Sequence, residues 1–180
     1  MKRIALIMIA APLFLSAAEL ATPFSSVGLK IQFITPANWT VKESKDQSSP
    51  SVFILPNDPQ ASTDEGTGMY FFQEEPWDAP LPAKLSGVMA YFRATRDAAG
   101  NSYTVLSEED ISVGGYPAKK ITYTANFDSK TLKGLARYVE IFTYGPTRYL
   151  YNFQYSSLDR TFDKYWPKAK AVIDSIRFKS

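Results

Sequence analysis

The stretch that decides the fold runs from Gly114 to Phe178. It opens with the turn sequence GGYPA (114–118), continues through ITYTANF (121–127), RYVEIFTY (137–144) and YLYNFQY (149–155), and closes with DSIRF (174–178). The three middle runs alternate apolar with polar residues, which is typical of strands in an antiparallel sheet. The stretch contains no catalytic motif, so it indicates a fold more clearly than a function.

The alternation assigns the side chains of these strands to two faces of the sheet. It predicts an aromatic face that packs in the core and a more polar face on the other side. The aromatic face is predicted to hold Ile121, Tyr123, Ala125, Phe127, Tyr149, Tyr151, Phe153 and Tyr155. The polar face is predicted to hold Lys120, Thr122, Thr124, Asn126, Leu150, Asn152 and Gln154.

A helix is predicted after these strands, from about Asp159 to Ser175. Asp159 is suited to the N-cap, and Pro167 either kinks the helix or restarts it as a first-turn residue. One stripe of this helix is apolar and is expected to cover the sheet. It comprises Leu158, Phe162, Tyr165, Ala169, Val172, Ile173 and Ile176.

The residues before Gly114 supply further strands and one helix. Helical spacing of apolar residues predicts a helix from Pro82 to about Ala98, with Gly100 at its C-terminal end. The segments 103–106 and 111–113 are expected to be short strands on either side of an acidic turn at 107–110. Earlier in the chain, strands are predicted at 29–33, 39–41, 52–55 and 69–74, with a surface loop at 56–68 and a proline-rich connection at 76–82.

The N-terminus has the pattern of a secretory signal peptide. Lys2 and Arg3 precede an apolar run that is too short to span a bilayer, and small residues end it, which predicts cleavage after Ala18 and no membrane anchor thereafter. Removing these two basic residues leaves 18, equal to the number of acidic residues. A neutral mature chain gives no reason to expect nucleic acid as a partner. The short basic n-region favours a bacterial periplasmic or secreted protein.

The composition excludes several chemistries. The chain has no histidine and no cysteine. Ser-His-Asp and Cys-His catalysis, histidine or thiolate metal sites and redox thiols are therefore excluded. A carboxylate-dependent hydrolase stays open, with Glu74 and Glu75 as candidates. Adjacent acids in a strand point to opposite faces, however, and the cluster Glu108–Asp110 is expected to be a solvated turn.

Two regions are candidate binding sites. The proline-rich connection presents Trp77, Asp78 and Leu81, and loops on rigid scaffolds often carry function. Trp77 has an alternative role as a lid that folds back on the core. The predicted polar face presents Thr122, Thr124, Asn152 and Gln154.

The loop at 56–68 is a weak candidate for a metal site. It carries oxygen ligands of the kind that calcium prefers, but their spacing departs from the usual alternating pattern, so a solvated loop is the main prediction. The residues concerned are Asn57, Asp58, Asp64 and Glu65.

The order of elements resembles a known superfamily. A Phe-x-x-Pro-x-x-Trp opening from Phe33 to Trp39 is followed by antiparallel strands, a helix, the GGYPA turn, long strands and a closing helix that ends in Ser175-Ile176-Arg177-Phe178. This arrangement resembles the Mog1/PsbP-like superfamily, including bacterial periplasmic DcrB-like members. The resemblance implies a central antiparallel sheet between helices and an accessory role without catalysis. The metal-linked features of the photosystem member have no clear counterpart here.

We therefore expect one α+β domain at 27–180, with an antiparallel sheet of about six or seven strands flanked by helices. The favoured function is a non-catalytic exported accessory protein that binds an envelope or secreted protein partner, without a cofactor. The alternatives are a carrier of a small apolar ligand or lipid and the carboxylate-dependent hydrolase. The oligomeric state stays open.

Overall fold

The computed structural model describes residues 20–46, 48–64, 66–75, 80–99, 102–128, 133–146 and 148–179. The predicted signal peptide and its cleavage site, as well as Trp77, Asp78, Gly100 and Glu65, lie outside this part of the chain. Of the helices in these ranges, none combines the length and the apolar composition that crossing a bilayer requires.

The strands form a large sheet and a small one. The large sheet has seven strands in the order β3-β4-β5-β9-β8-β7-β6, and the small one has the order β1-β2-β10. Within the described ranges, all the strand pairs are antiparallel. The strands are β1 Leu20–Ser26, β2 Ile31–Pro36, β3 Trp39–Glu43, β4 Ser51–Pro56, β5 Gly68–Gln73, β6 Tyr103–Val113, β7 Tyr116–Asp128, β8 Lys133–Tyr144, β9 Leu150–Leu158 and β10 Arg177–Phe178; the helices are α1 Val88–Ala98 and α2 Asp159–Asp174.

Both faces of the seven-stranded sheet carry a hydrophobic core. On one face, α2 and the small sheet pack on Phe71, Tyr151, Phe153 and Tyr155. On the other face, α1 packs on a second cluster that contains Ile121, Tyr123, Phe142 and Leu150. The α+β sandwich expected from the sequence is confirmed. The prediction of one aromatic and one polar face is wrong, because each face is apolar where a helix covers it.

The GGYPA sequence makes the turn between β6 and β7. Gly114 and Gly115 both have positive φ, at +59° and +88°, a conformation that glycine adopts without steric cost. A Cβ atom on Gly114 would lie 2.8 Å from Cδ2 of Phe178. The turn that marks the fold in the sequence therefore also packs closely against β10.

Helix α2 is continuous through Pro167. It begins at Asp159, and Leu158 rather than Asp159 is the N-cap residue. Asp159 instead accepts a hydrogen bond of 2.8 Å from Nε of Arg137 on β8, and its negative charge in the first turn is favourable to the helix dipole. The predicted stripe is largely confirmed, since Phe162, Tyr165, Ala169, Val172 and Ile173 are buried; Leu158 and Ile176 are buried just outside the helix.

Three local predictions are wrong. The helix predicted from Pro82 starts at Val88, after a short 3₁₀ turn at Leu85–Gly87. The segments predicted as two short strands and an acidic turn form the single strand β6. Tyr149, which the alternation predicts to lie in the aromatic core, precedes β9 and is 56% exposed.

Candidate functional site

A cavity of about 360 Å³ lies between α1 and the sheet face that α1 covers. Its walls come from β5 and the two residues after it, from β8 and β9, and from α1. The residues that matter for its chemistry are Tyr70, Glu74, Arg96, Glu140, Phe142 and Asn152. Polar side chains thus meet aromatic ones in one concave site, which is the usual composition of a binding pocket.

Glu140 is the buried charge at the base of this site. It is only 1% exposed and lies in β8, an inner strand of the large sheet. Its neighbours Val139 and Ile141 point to the α2 core, so the alternation of the strand turns Glu140 towards α1. There it forms an ion pair with Arg96. It also accepts hydrogen bonds from the Tyr123 hydroxyl at 2.6 Å and from Nε2 of Gln154 at 3.4 Å.

Arg96 comes from the last turn of α1 and supplies the opposite charge. Its guanidinium also lies over the rings of Phe92 and Tyr123, with its central carbon 5.6 and 5.5 Å from their centroids. Burial is the largest influence on the pKa of Arg96 and lowers it, but Glu140, Tyr123 and Glu74 together outweigh burial, so the pKa of Arg96 is raised. Nε of Arg96 is buried and has no hydrogen-bond partner among the described residues.

Glu74 is the second carboxylate of the cavity and follows directly after β5. It accepts a hydrogen bond of 2.7 Å from the Tyr91 hydroxyl on α1. Burial raises the pKa of Glu74, and the hydrogen bonds it accepts oppose this shift. Burial and the bond to Glu74 also raise the pKa of Tyr91, so this phenol is a hydrogen-bond donor and not a proton acceptor.

Asn152 on β9 connects the two carboxylates. Its Nδ2 donates to Glu74 Oε1 at 2.7 Å and to Glu140 Oε2 at 2.9 Å. Asn152 is 1% exposed, and its Oδ1 has no partner in the described part of the chain. The amide therefore fixes both acids and leaves one buried acceptor unsatisfied.

These contacts limit the chemistry of the two acids. Both oxygens of Glu140 are occupied, so it is unsuited to act as a nucleophile or a base. Glu74 is less buried and faces the cavity, where it can hold a proton or a charge. Catalysis by a pair of acids requires two that reach the substrate. Glu75, the partner suggested by the sequence, also lines the cavity, but its side chain is exposed.

The structure separates the residues that the sequence grouped on one polar face. Asn152 and Gln154 line the cavity. Thr122 pairs with Val139, which pairs with Tyr155 in the α2 core, so Thr122 and Thr124 lie on the opposite face of the sheet. The prediction that all four form one surface is wrong, because strand register and not alternation alone decides which faces coincide.

The other candidate residues lie away from this cavity or outside the described ranges. Leu81 is half-buried and packs against the α1 core. Trp77 and Asp78 are not described, so their role stays a prediction. Asp58 caps its own turn by accepting a hydrogen bond of 2.9 Å from the Gln60 amide.

The structure gives the calcium hypothesis no new support. Among the described residues no group of three or more acidic side chains is placed to hold a metal ion. The Asp64 side chain and Glu65 lie outside the described part, so the site stays a prediction.

Sequence reasoning missed Glu140, Arg96, Tyr91 and Tyr123 as site residues. The signal for Glu140 was present, since it is a lone acid within the apolar run from Tyr138 to Phe142. A charge inside a core strand is rarely buried unless it is paired. Its partner was not visible, because Arg96 lies 44 residues earlier on another element.

Comparison with solved structures places the fold. The solution structure of cyanobacterial PsbP (CyanoP) from Synechocystis sp. PCC 6803 matches with a TM-score of 0.61 and 13% identity, over 89% of this chain and 93% of that one. The chain has a PsbP-like fold. No protein-family model and no curated protein sequence matches it. The PsbP-like resemblance noted in the sequence is thereby confirmed for the fold.

Two further structures match with lower scores. PA94 of Pseudomonas aeruginosa, a protein of unknown function, has a TM-score of 0.48 and 10% identity over 86% of this chain and 94% of that one. LpqN, described as involved in cell envelope biogenesis of Mycobacterium tuberculosis, has a TM-score of 0.48 and 10% identity, over 88% of this chain and 90% of that one.

Replacing Glu74 by glutamine is expected to stabilise the protein increasingly as the pH rises. The pKa of Glu74 is raised above its ordinary value of 4.5, so the folded state keeps this proton at a pH where the unfolded chain has lost it. The free energy of unfolding of the wild type therefore falls as the pH rises from the pKa of Glu74 in the unfolded chain to its higher pKa in the folded state. The glutamine of the variant does not titrate, so the variant lacks this loss. Urea unfolding at several pH values between about 4 and 8 measures the difference.

Glu75→Gln is the matched control, because Glu75 is the next residue and its side chain is exposed. We expect its stability to follow that of the wild type at each pH. A Glu74→Gln variant that is less stable than the wild type at neutral pH would show that the ionised Glu74 stabilises the fold.

Proposed function

We propose that this protein is a non-enzymatic exported accessory protein that binds a partner protein at the cavity beneath α1. The observation that carries the proposal is an aromatic strip that leads from the open sheet surface into the cavity. Phe53, Tyr70 and Phe72 stack in series, with centroid distances of 4.4 and 4.5 Å. Exposed apolar surface next to a polar pocket is typical of protein interaction sites.

The strip lies on the same sheet face as the buried network. Phe53 pairs with Tyr70, and Tyr70 pairs with Gln154, which contacts Glu140. Phe53 is 41% exposed, so this end of the face is open to solvent. A partner that covers the strip would therefore reach the cavity without any rearrangement of the sheet.

The two alternatives from the sequence fit this site less well. An apolar ligand in the cavity would remove water from Glu74 without replacing its hydrogen bonds, which is unfavourable. A hydrolase needs a second acid held at a defined separation from Glu74. Glu140 is already held by Arg96, Tyr123 and Asn152, and Glu75 is exposed. The carrier has a distinct outcome in the capture experiment.

The test is crosslinking and capture from the native envelope with the mature protein as bait. We expect a specific protein to be captured by the wild type and lost with Phe53→Asp. Leu106→Asp is the matched control, because Leu106 is also an exposed apolar strand residue, 52% exposed, but lies at the opposite edge of the sheet. Its capture should equal that of the wild type.

Two results would overturn the proposal. One is equal capture by wild type and Phe53→Asp, which would place the interface elsewhere. The other is no captured protein together with a co-purified small molecule, which would favour the carrier. Phe53 and Leu106 are exposed, so neither substitution alters the buried core. Backbone amide NMR spectra of the two variants check that each is folded.

A further inference from the structure

We infer that the cavity beneath α1 takes a basic side chain, lysine or arginine, of the protein partner. This inference rests on the proposed function and names the group that the site recognises. It is drawn from the charge of the cavity, from its unsatisfied hydrogen-bond acceptor and from its aromatic wall.

The charge balance of the cavity favours a cation. Among the described residues, three carboxylates line it, those of Glu74, Glu75 and Glu140, against the single guanidinium of Arg96. Glu140 and Arg96 form an ion pair and compensate each other. Glu74 accepts hydrogen bonds only from neutral groups, and no salt bridge to it is found in the described ranges. The excess negative charge therefore lies at Glu74 and Glu75, at the open side of the network.

The hydrogen-bonding groups near Glu74 also suit a donor-rich ligand. Oδ1 of Asn152 is a buried acceptor without a donor among the described residues, and it belongs to the same amide that binds Glu74. Ammonium and guanidinium groups carry donors and no acceptor. The unpaired Nε of Arg96 would suit an anion, but an anion would also meet the carboxylates of Glu74 and Glu140.

The remaining wall matches the apolar part of such a side chain. Tyr70, Phe72 and Phe142 line the cavity with aromatic surface. Lysine and arginine combine a flexible apolar stem with a charged head, and a cation near an aromatic face gains further attraction. The acids lie beyond the aromatic strip as seen from Phe53. A basic side chain entering over the strip would place its stem on the rings and its head at Glu74.

Small probes of matched shape test the inference without knowledge of the partner. The mature protein is titrated with butylammonium, butylguanidinium, butanol and butyrate, and backbone amide NMR signals are followed. We expect the two cations to bind in about the millimolar range and to shift the signals of Glu74, Tyr91 and Asn152. Butanol and butyrate should leave these signals unchanged.

Two matched variants localise the binding. Glu74→Gln keeps the shape and should weaken binding of the cations by about tenfold or more, since a charge-assisted hydrogen bond is lost. Glu109→Gln removes the same charge from an exposed pair with Lys120 on the far edge of the sheet and should leave the affinity unchanged. Added salt should also weaken binding of the cations to the wild type, because it screens their attraction to the carboxylates. This measurement requires no variant.

The outcomes separate this inference from the proposed function. Equal binding of butanol, stronger binding of butyrate, or cation binding that survives Glu74→Gln would overturn the inference. If Phe53→Asp abolishes partner capture while Glu74→Gln has no effect on cation binding, the proposed partner interface is supported and the proposed cation site is wrong. If the cations bind at Glu74 but Phe53→Asp leaves capture intact, the pocket chemistry stands and the proposed interface fails.

Discussion

Replacing Glu140 by alanine should lower the free energy of unfolding by about 3 to 5 kcal/mol, the usual cost of removing one partner from a buried ion pair. The substitution leaves the partly buried guanidinium of Arg96 without its charge partner, and Nε of Arg96 has no hydrogen-bond partner among the described residues. It also removes the acceptor of the Tyr123 hydroxyl and one of the two acceptors of Asn152. Urea unfolding at neutral pH measures the loss as a lower midpoint.

The matched control is Glu109→Ala. Glu109 also pairs with a cation on a strand, but its side chain is 47% exposed, so its removal should cost no more than about 1 kcal/mol. Replacing both Glu140 and Arg96 by apolar residues of similar size should recover part of the stability lost in Glu140→Ala. A loss below about 1 kcal/mol for Glu140→Ala would show that Arg96 finds another partner or turns to solvent.

The same pair marks the limit of what the sequence could predict about the site. Alternation in β8 places Glu140 on the face opposite Val139 and Ile141, so burial of an acid was readable in principle. Which cation meets it depends on how α1 crosses the sheet, and no local pattern encodes that crossing. The sequence therefore predicted Asn152 and Gln154 as binding residues but not the ion pair that they surround.

The fold was more readable, because turns and periodicity are local. The positive φ values of Gly114 and Gly115 and the alternating runs that follow correspond to the predicted turn and strands. The error about the faces has a different origin. Alternation divides each strand into two sides, but the pairing of Thr122 with Val139 comes from register between strands, which the sequence of one strand does not contain.

Local irregularities explain two of the misplaced boundaries. In β6 the pairing passes from Val105 directly to Ser107, so Leu106 is the extra residue of a β-bulge and is exposed. A bulge shifts the alternation by one residue and makes one long strand resemble two short ones.

Before α1, the segment near Pro82 packs through Leu81 and Leu85 but forms only a 3₁₀ turn before Val88. The spacing of Leu81 and Leu85 therefore reflects their packing on the core and does not indicate an α-helix.

Replacing Phe153 by alanine should be among the most destabilising single changes, at about 3 to 5 kcal/mol. Phe153 lies on β9, between β5 and β8, and is fully buried. Its ring meets that of Phe71 edge to face at 5.0 Å and lies near Tyr151 and Phe178. The surrounding strands are fixed by hydrogen bonds to both sides, so the space left by the ring cannot close easily. Thermal and urea unfolding measure the loss.

Tyr149→Ala is the matched comparison, since the sequence assigned Tyr149 and Phe153 to the same aromatic face. Tyr149 is 56% exposed before the start of β9, so its removal should change the free energy of unfolding by no more than about 0.5 kcal/mol. Similar losses for the two variants would mean that Tyr149 packs into the core. A large loss for Phe153 alone would show that the side of β9 beneath α2 stabilises the fold, whereas Tyr149 does not.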